Sequence, residues 1–181
     1  MDTHVSSPIE PGPENTSAID RTGDSYEFYK DVPVILHAAR EVGITMALAS
    51  RTHAPELARK MLGILHVPTP SLDTVTTSST SDGVSDNTNK DVSERILEVP
   101  PRKAIEFFEY QQIFPGDKRA HMKGIQQASK VGFEDMLFFD DESRNRNVEV
   151  LGVTFCLVNS GVSVGEIDRG IREWRSRRGV E

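Results

Sequence analysis

The sequence predicts an α/β fold built on a doubly wound, mostly parallel sheet. Two observations carry that expectation. Short apolar runs of strand length alternate with stretches of helical periodicity, an order that right-handed crossovers convert into a parallel sheet covered on both faces. The apolar runs ending at Ala49 and Phe139 are also each followed by polar residues, Ser50-Arg51-Thr52 and Asp140-Asp141-Glu142. In such a sheet the side chains just past the carboxyl ends of the strands line the ligand crevice. A length of 181 residues with 36% hydrophobic content predicts a single domain over 1–181 with a real core.

Taken in order, residues 1–28 are rich in Pro, Gly, Ser and acidic groups and show neither helical nor strand periodicity, so an irregular arm is expected. From Lys30 to Val42, Val32, Ile35, Leu36, Ala39 and Val42 fall on one helical face, Pro33 suits the first turn, and Gly43 ends the element. Ile44 to Ala49 reads as a buried parallel strand. A second helix over about Pro55 to Leu65 would bury Leu57, Met61, Leu62 and Leu65, with Thr52 or His53 at its entry. Residues 68–99 turn to Ser, Thr, Asp and Asn, too polar to offset the entropy of ordering them, and read as a disordered insertion.

Order is expected to return near Lys103, with a strand ending near Phe114. Asp117 is a good N-cap for a helix whose His121, Ile125 and Ala128 share a face. A strand over Met136 to Phe139, a helical turn over Glu142 to Glu149, a strand over Val153 to Val158 and a helix over Val164 to Arg178 complete the alternation.

A net charge of -7 argues against a nucleic-acid partner, because phosphate backbones are held by Lys and Arg. The one basic cluster, Arg169, Arg172, Arg175, Arg177 and Arg178, reads as the solvated face of the last helix. Cys156 is the single cysteine, inside an apolar run, and is expected to be a buried small hydrophobe. No stretch reaches bilayer-spanning length and the first residues lack a signal pattern, so a cytoplasmic protein without a membrane partner is expected.

Asp140 and Asp141 divide evenly between a bland and a functional reading, whereas for Ser50-Arg51-Thr52 and for Lys118, each taken alone, the bland reading leads. Adjacent Asp140 and Asp141 repel one another, and a hard cation such as Mg²⁺, which takes oxygen ligands from one or two carboxylates, would give them a purpose; capping the following helix would too. Ser50 and Thr52 are ordinary caps, or a hydroxyl beside free N–H groups at a helix start, which suits an anion. Lys118 is a surface lysine, or a point charge that neutralises a phosphoryl group.

Their order carries more than any one of them. Ser-Arg-Thr after a strand, Pro-Gly-x-Lys before a helix and Phe-Phe-Asp-Asp-Glu after another strand resemble motifs two, three and four of the haloacid dehalogenase (HAD) superfamily. The segments around Ala49 to Thr52, Ile113 to Lys118 and Phe138 to Asn147 are similar to its magnesium-dependent phosphatases, and Asp2-Thr3-His4-Val5 to the segment shortly after motif one. The resemblance implies a HAD-like, Rossmannoid hydrolase of phosphomonoesters that works through an aspartyl-phosphate. It implies Ser50 and Arg51 as substrate contacts, Lys118 as the catalytic charge that also binds substrate, and Asp140 and Asp141 as Mg²⁺ ligands. Implied substrates are a phosphorylated small molecule or a phosphotyrosine-type ester.

The pattern also sets up a discrepancy. No apolar strand here ends in Asp-x-Asp followed by Thr or Val, so the nucleophile and the central first strand that bears it are expected to be missing, with impaired turnover. A natural protein that starts upstream, of which this would be a truncated form, is one expectation; a non-catalytic phosphate- and metal-binding remnant is the alternative. A receiver-type phosphoacceptor domain would place its acidic pair first, whereas here the pair comes last.

Overall fold

The structure is a computed structural model, described here over residues 5–69 and 101–179. Its residues group into two compact units, one drawn from residues 1–28, 33–45 and 59–107 and the other from 29–32, 46–58 and 108–181. The expected insertion at 68–99 falls almost wholly outside the described residues.

In the first unit the expected irregular arm is instead a small antiparallel sheet, β1 (Ile9–Pro11), β2 (Ser17–Asp20) and β3 (Ser25–Glu27), in the order β1-β2-β3. Strands of three or four residues are too short to display alternation. Much of their order comes from a polar hub: the Asp20 carboxylate accepts from the Ser6, Thr22 and Asp24 amides and from the Thr22 and Tyr26 hydroxyls. Those donors hold its carboxyl well below the usual carboxylate range, the Thr22 hydroxyl contributing most.

Helix α1 spans Val32–Glu41, close to expectation. Ile44 does not open the next strand. Gly43 turns left-handed, its N–H bonds the Arg40 carbonyl and the Ile44 N–H reaches the Ala39 carbonyl, a helix-closing arrangement that consumes Ile44. The first unit also contains a two-residue antiparallel pair, β5 (His66–Val67) with β6 (Arg102–Lys103), and the buried His37 ring set edge-on to Phe107.

The second unit holds the parallel strands. β4 (Ala47–Ser50), followed by α2 (Pro55–Ile64), pairs in parallel with β7 (Tyr110–Ile113), with Ser50 opposite Ile113. β8 (Leu137–Asp140) pairs in parallel with β9 (Thr154–Leu157), with Asp140 opposite Leu157. Among the described residues no ladder joins the two pairs. α3 (Lys118–Ser129) follows β7 and α4 (Val164–Arg178) follows β9, so the fold is mixed α/β with parallel strand pairs.

A core of Met122, Ile125, Val148, Val153 and Phe155, backed by Ala49, Phe138 and Leu157, places one face of α3 against the strands. Cys156 is buried as expected, and burial raises its thiol pKa. Gly170 lets α4 approach closely, since a β-carbon there would lie 2.7 Å from the Phe139 ring and 3.2 Å from the Cys156 sulfur. No described helix is long and apolar enough to cross a membrane.

Candidate functional site

The first turn of α3 organises the site. Asp117 accepts from the Arg119 N–H as an N-cap, fixing the helix start and therefore the direction of Lys118. The Arg119 side chain, more than any other group, pulls the Asp117 carboxyl down to about 2. Lys118 is buried, and its Nζ makes an ion pair of 3.1 Å with Asp140 Oδ2 while donating to the Ala49 carbonyl. It also stands 5.2 Å from the centre of the Phe138 ring.

The Ala49 carbonyl is open to Lys118 because alternate groups of β4 face β7. The Glu109 N–H bonds the Met46 carbonyl and the Phe114 N–H bonds the Ser50 carbonyl, which turns Ala49 toward the opposite edge. One ammonium therefore ties the end of β4 to the end of β8. Lys118, the Ala49-Ser50 turn and Asp140, brought from three distant parts of the sequence, meet there.

Asp140 is tightly held. Its Oδ1 accepts from the Glu142 N–H at 2.8 Å and from Asn145 Nδ2 at 2.8 Å, while Oδ2 takes Lys118. Of roughly four lone-pair directions on a carboxylate, about one remains. Asp141 is exposed, and its carboxylate has no hydrogen bond or ion pair among the described residues. Ser50 Oγ receives only a long 3.4 Å contact from the Thr52 N–H, so the hydroxyl is free to meet a ligand. Thr52 Oγ1 accepts from the Ala54 N–H, ordering the entry to α2.

Arg51 does not join Lys118. Its guanidinium bonds Asn145 Oδ1 at 3.0 Å and Glu142 Oε2 at 3.3 Å, and its Nε is buried without a partner. Glu142 also grips Arg144, the largest cause of its lowered pKa. Asn145 links Arg51 to Asp140 from a fully buried position, a role that sequence reading missed although the residue lies five positions past Asp140. His121 was likewise read only as a helix-face residue; its spacing of three from Lys118 was the available signal.

The donor set suits a hard cation in part. Asp141 and the remaining lone pair of Asp140 are oxygen ligands of the kind Mg²⁺ takes, and such an ion completes its shell with waters and phosphate oxygens. Among the described residues no cluster of three or more His, Cys, Asp or Glu exists to cage a metal without them.

A strand-end hydroxyl, a helix-borne lysine and a strand-end carboxylate are gathered on an α/β frame, the arrangement that the resemblance to HAD-like hydrolases implies. The chain belongs to the acid phosphatase family, whose pattern matches residues 1–177. A HAD-like hydrolase superfamily protein of Schizosaccharomyces pombe is 36% identical over 86% of this chain and 74% of its own length. Magnesium-dependent phosphatase 1 of Homo sapiens is 27% identical over 94% of this chain and 76% of its own. A putative magnesium-dependent phosphatase of Saccharomyces cerevisiae is 29% identical over 87% and 77% respectively.

Proposed function

We propose that the site is that of a Mg²⁺-dependent phosphomonoesterase of the cytoplasm, acting on a phosphorylated small molecule or a phosphotyrosine-type ester. The observation that carries the reading is the single buried ammonium of Lys118 spanning the Ala49 carbonyl and the Asp140 carboxylate beside an open Ser50 hydroxyl. Ser50 and the amides after it would take phosphoryl oxygens, and Lys118 would offset the charge that develops on them. Asp140 and Asp141 would hold Mg²⁺, which when bound supplies further positive charge against the phosphate. Arg51, already clamped by Glu142 and Asn145, would contact the rest of the substrate from its exposed side.

We also propose that turnover by residues 1–181 alone is weak. No described strand ends in the Asp-x-Asp that an aspartyl-phosphate route needs, and Asp20, at the end of β2, is spent on five donors. The Ala49 edge of β4 is met by a lysine where a strand could pair, which supports an incomplete ladder between β4 and β8. The same observation favours the second reading, a protein that binds phosphate and metal without hydrolysis.

Calorimetric titration of the full chain with inorganic phosphate, with and without Mg²⁺, alongside turnover of an aryl phosphate, tests both proposals. Phosphate binding strengthened by Mg²⁺, with turnover lower by about 10⁶ than an ordinary enzyme, is the expected outcome. No phosphate binding under either condition overturns the site reading. Turnover in the ordinary range of about 1–10³ s⁻¹ overturns the impairment.

A further inference from the structure

We propose that His121 is a positioning residue that sets the spacing between the Ser50 hydroxyl and the Lys118 ammonium. The inference deepens the phosphate-binding reading and rests on it for its effect on binding. His121 is fully buried. Its Nε2 lies 2.9 Å from both the Ser50 and the Phe114 carbonyl oxygens, and its Nδ1 lies 3.0 Å from the Asp117 carbonyl oxygen. Its ring stacks flat on Phe114, with centroids 4.0 Å apart and planes within 5°.

Every oxygen around the ring is a carbonyl, which only accepts, so the imidazole acts as donor wherever a bond is made. A neutral ring carries one N–H, and on Nε2 it joins the end of β4 to the residue after β7, leaving Nδ1 beside the Asp117 carbonyl at the start of α3 without a bond. Lys118 and His121 stand three apart on one helix face and grip successive carbonyls, Ala49 and Ser50. Successive strand carbonyls point to opposite edges, so the two side chains hold the peptides before and after Ser50 from opposite sides. Rotation of the backbone at Ser50 would swing its hydroxyl away from Lys118, and His121 opposes it at the Ser50 carbonyl. A hydrophobic residue at this helix position would fill the core without doing so.

The test compares His121→Phe, which keeps a ring against Phe114 and removes both nitrogens, with Val148→Ala, a core truncation outside the site. For each full-length variant three quantities are measured: melting temperature, the Kd for inorganic phosphate with Mg²⁺, and amide hydrogen exchange over Ser50 to Thr52. His121→Phe is expected to weaken phosphate binding about tenfold, roughly one lost hydrogen bond, and to speed exchange at Ser50 to Thr52. Val148→Ala is expected to lower the melting temperature and leave both site readouts unchanged. Folded His121→Phe with wild-type affinity and exchange overturns the proposal, as does a loss equal to that of Val148→Ala at matched melting temperature. If the wild-type chain itself fails to bind phosphate, the site reading falls, while hydrogen exchange still decides whether His121 holds the backbone at Ser50. Should His121→Phe not fold, His121→Leu, which also removes both nitrogens, replaces it with the same readouts.

Discussion

The ends of β4 and β8 are held in opposite ways. At β4 the backbone is gripped, with the Ala49 carbonyl taken by Lys118 and the Ser50 carbonyl by His121 and the Phe114 N–H, and the Ser50 side chain is left open. At β8 the backbone stays in its ladder, the Asp140 carbonyl accepting from the Val158 N–H, and the side chain is gripped by three donors. The difference separates two tasks. A hydroxyl that meets a ligand needs a fixed backbone and a free oxygen, whereas a carboxylate beside a buried cation needs its orientation set in advance.

The comparison breaks most visibly at the ion pair that joins the two ends. Asp140→Ala strands the buried Lys118 ammonium and is expected to cost about 3–5 kcal/mol in urea unfolding. Lys118→Met with Asp140→Ala is expected to cost less than the two single losses added, because the second removal no longer leaves a charge alone. An additive result would mean that the two groups do not depend on each other.

Gly170→Ala loads only the β8 side, pressing a methyl group into the Phe139 ring, with an expected loss of about 1–3 kcal/mol. Hydrogen exchange should quicken in β8 and β9 and stay unchanged in β4 and β7. Equal loosening of both pairs would show that they form one cooperative element.

The caps sharpen the contrast at lower amplitude. Ser163→Ala removes the α4 capping box and Asp117→Ala the α3 cap, each costing about 1 kcal/mol at neutral pH. Only the Asp117 variant should also weaken phosphate binding, since only α3 carries Lys118. The Asp117 carboxyl is lowered from 3.8 to about 2 in the fold, so it adds stability above its unfolded value and loses it as pH falls. The gap in melting temperature between wild type and Asp117→Ala should therefore persist down to about pH 4 and close as pH approaches 2. A gap that instead grows in acid would refute the cap's role.

Much of this was legible residue by residue. The α4 bounds, the Asp117 cap and the strands around Leu137 to Asp140 and Thr154 to Leu157 follow from local periodicity and cap chemistry. Ile44 was misread because an apolar residue after a glycine can begin a strand or close a helix, and only its bond to the Ala39 carbonyl distinguishes them. Residues 9–27 were misread because their order depends on the Asp20 hub, whose donors are scattered from Ser6 to Tyr26.

By itself the sequence determined the alternation of elements, the strand-end position of Ser50 and Asp140, and the family, because these depend on neighbours in the chain. The tertiary structure decided what those residues touch. Asn145 at Asp140, His121 at Ser50 and Lys118 between two strand ends are contacts across 5, 71 and 69 positions. The longer two depend on how helix α3 is seated against β4, which no local pattern of polarity records.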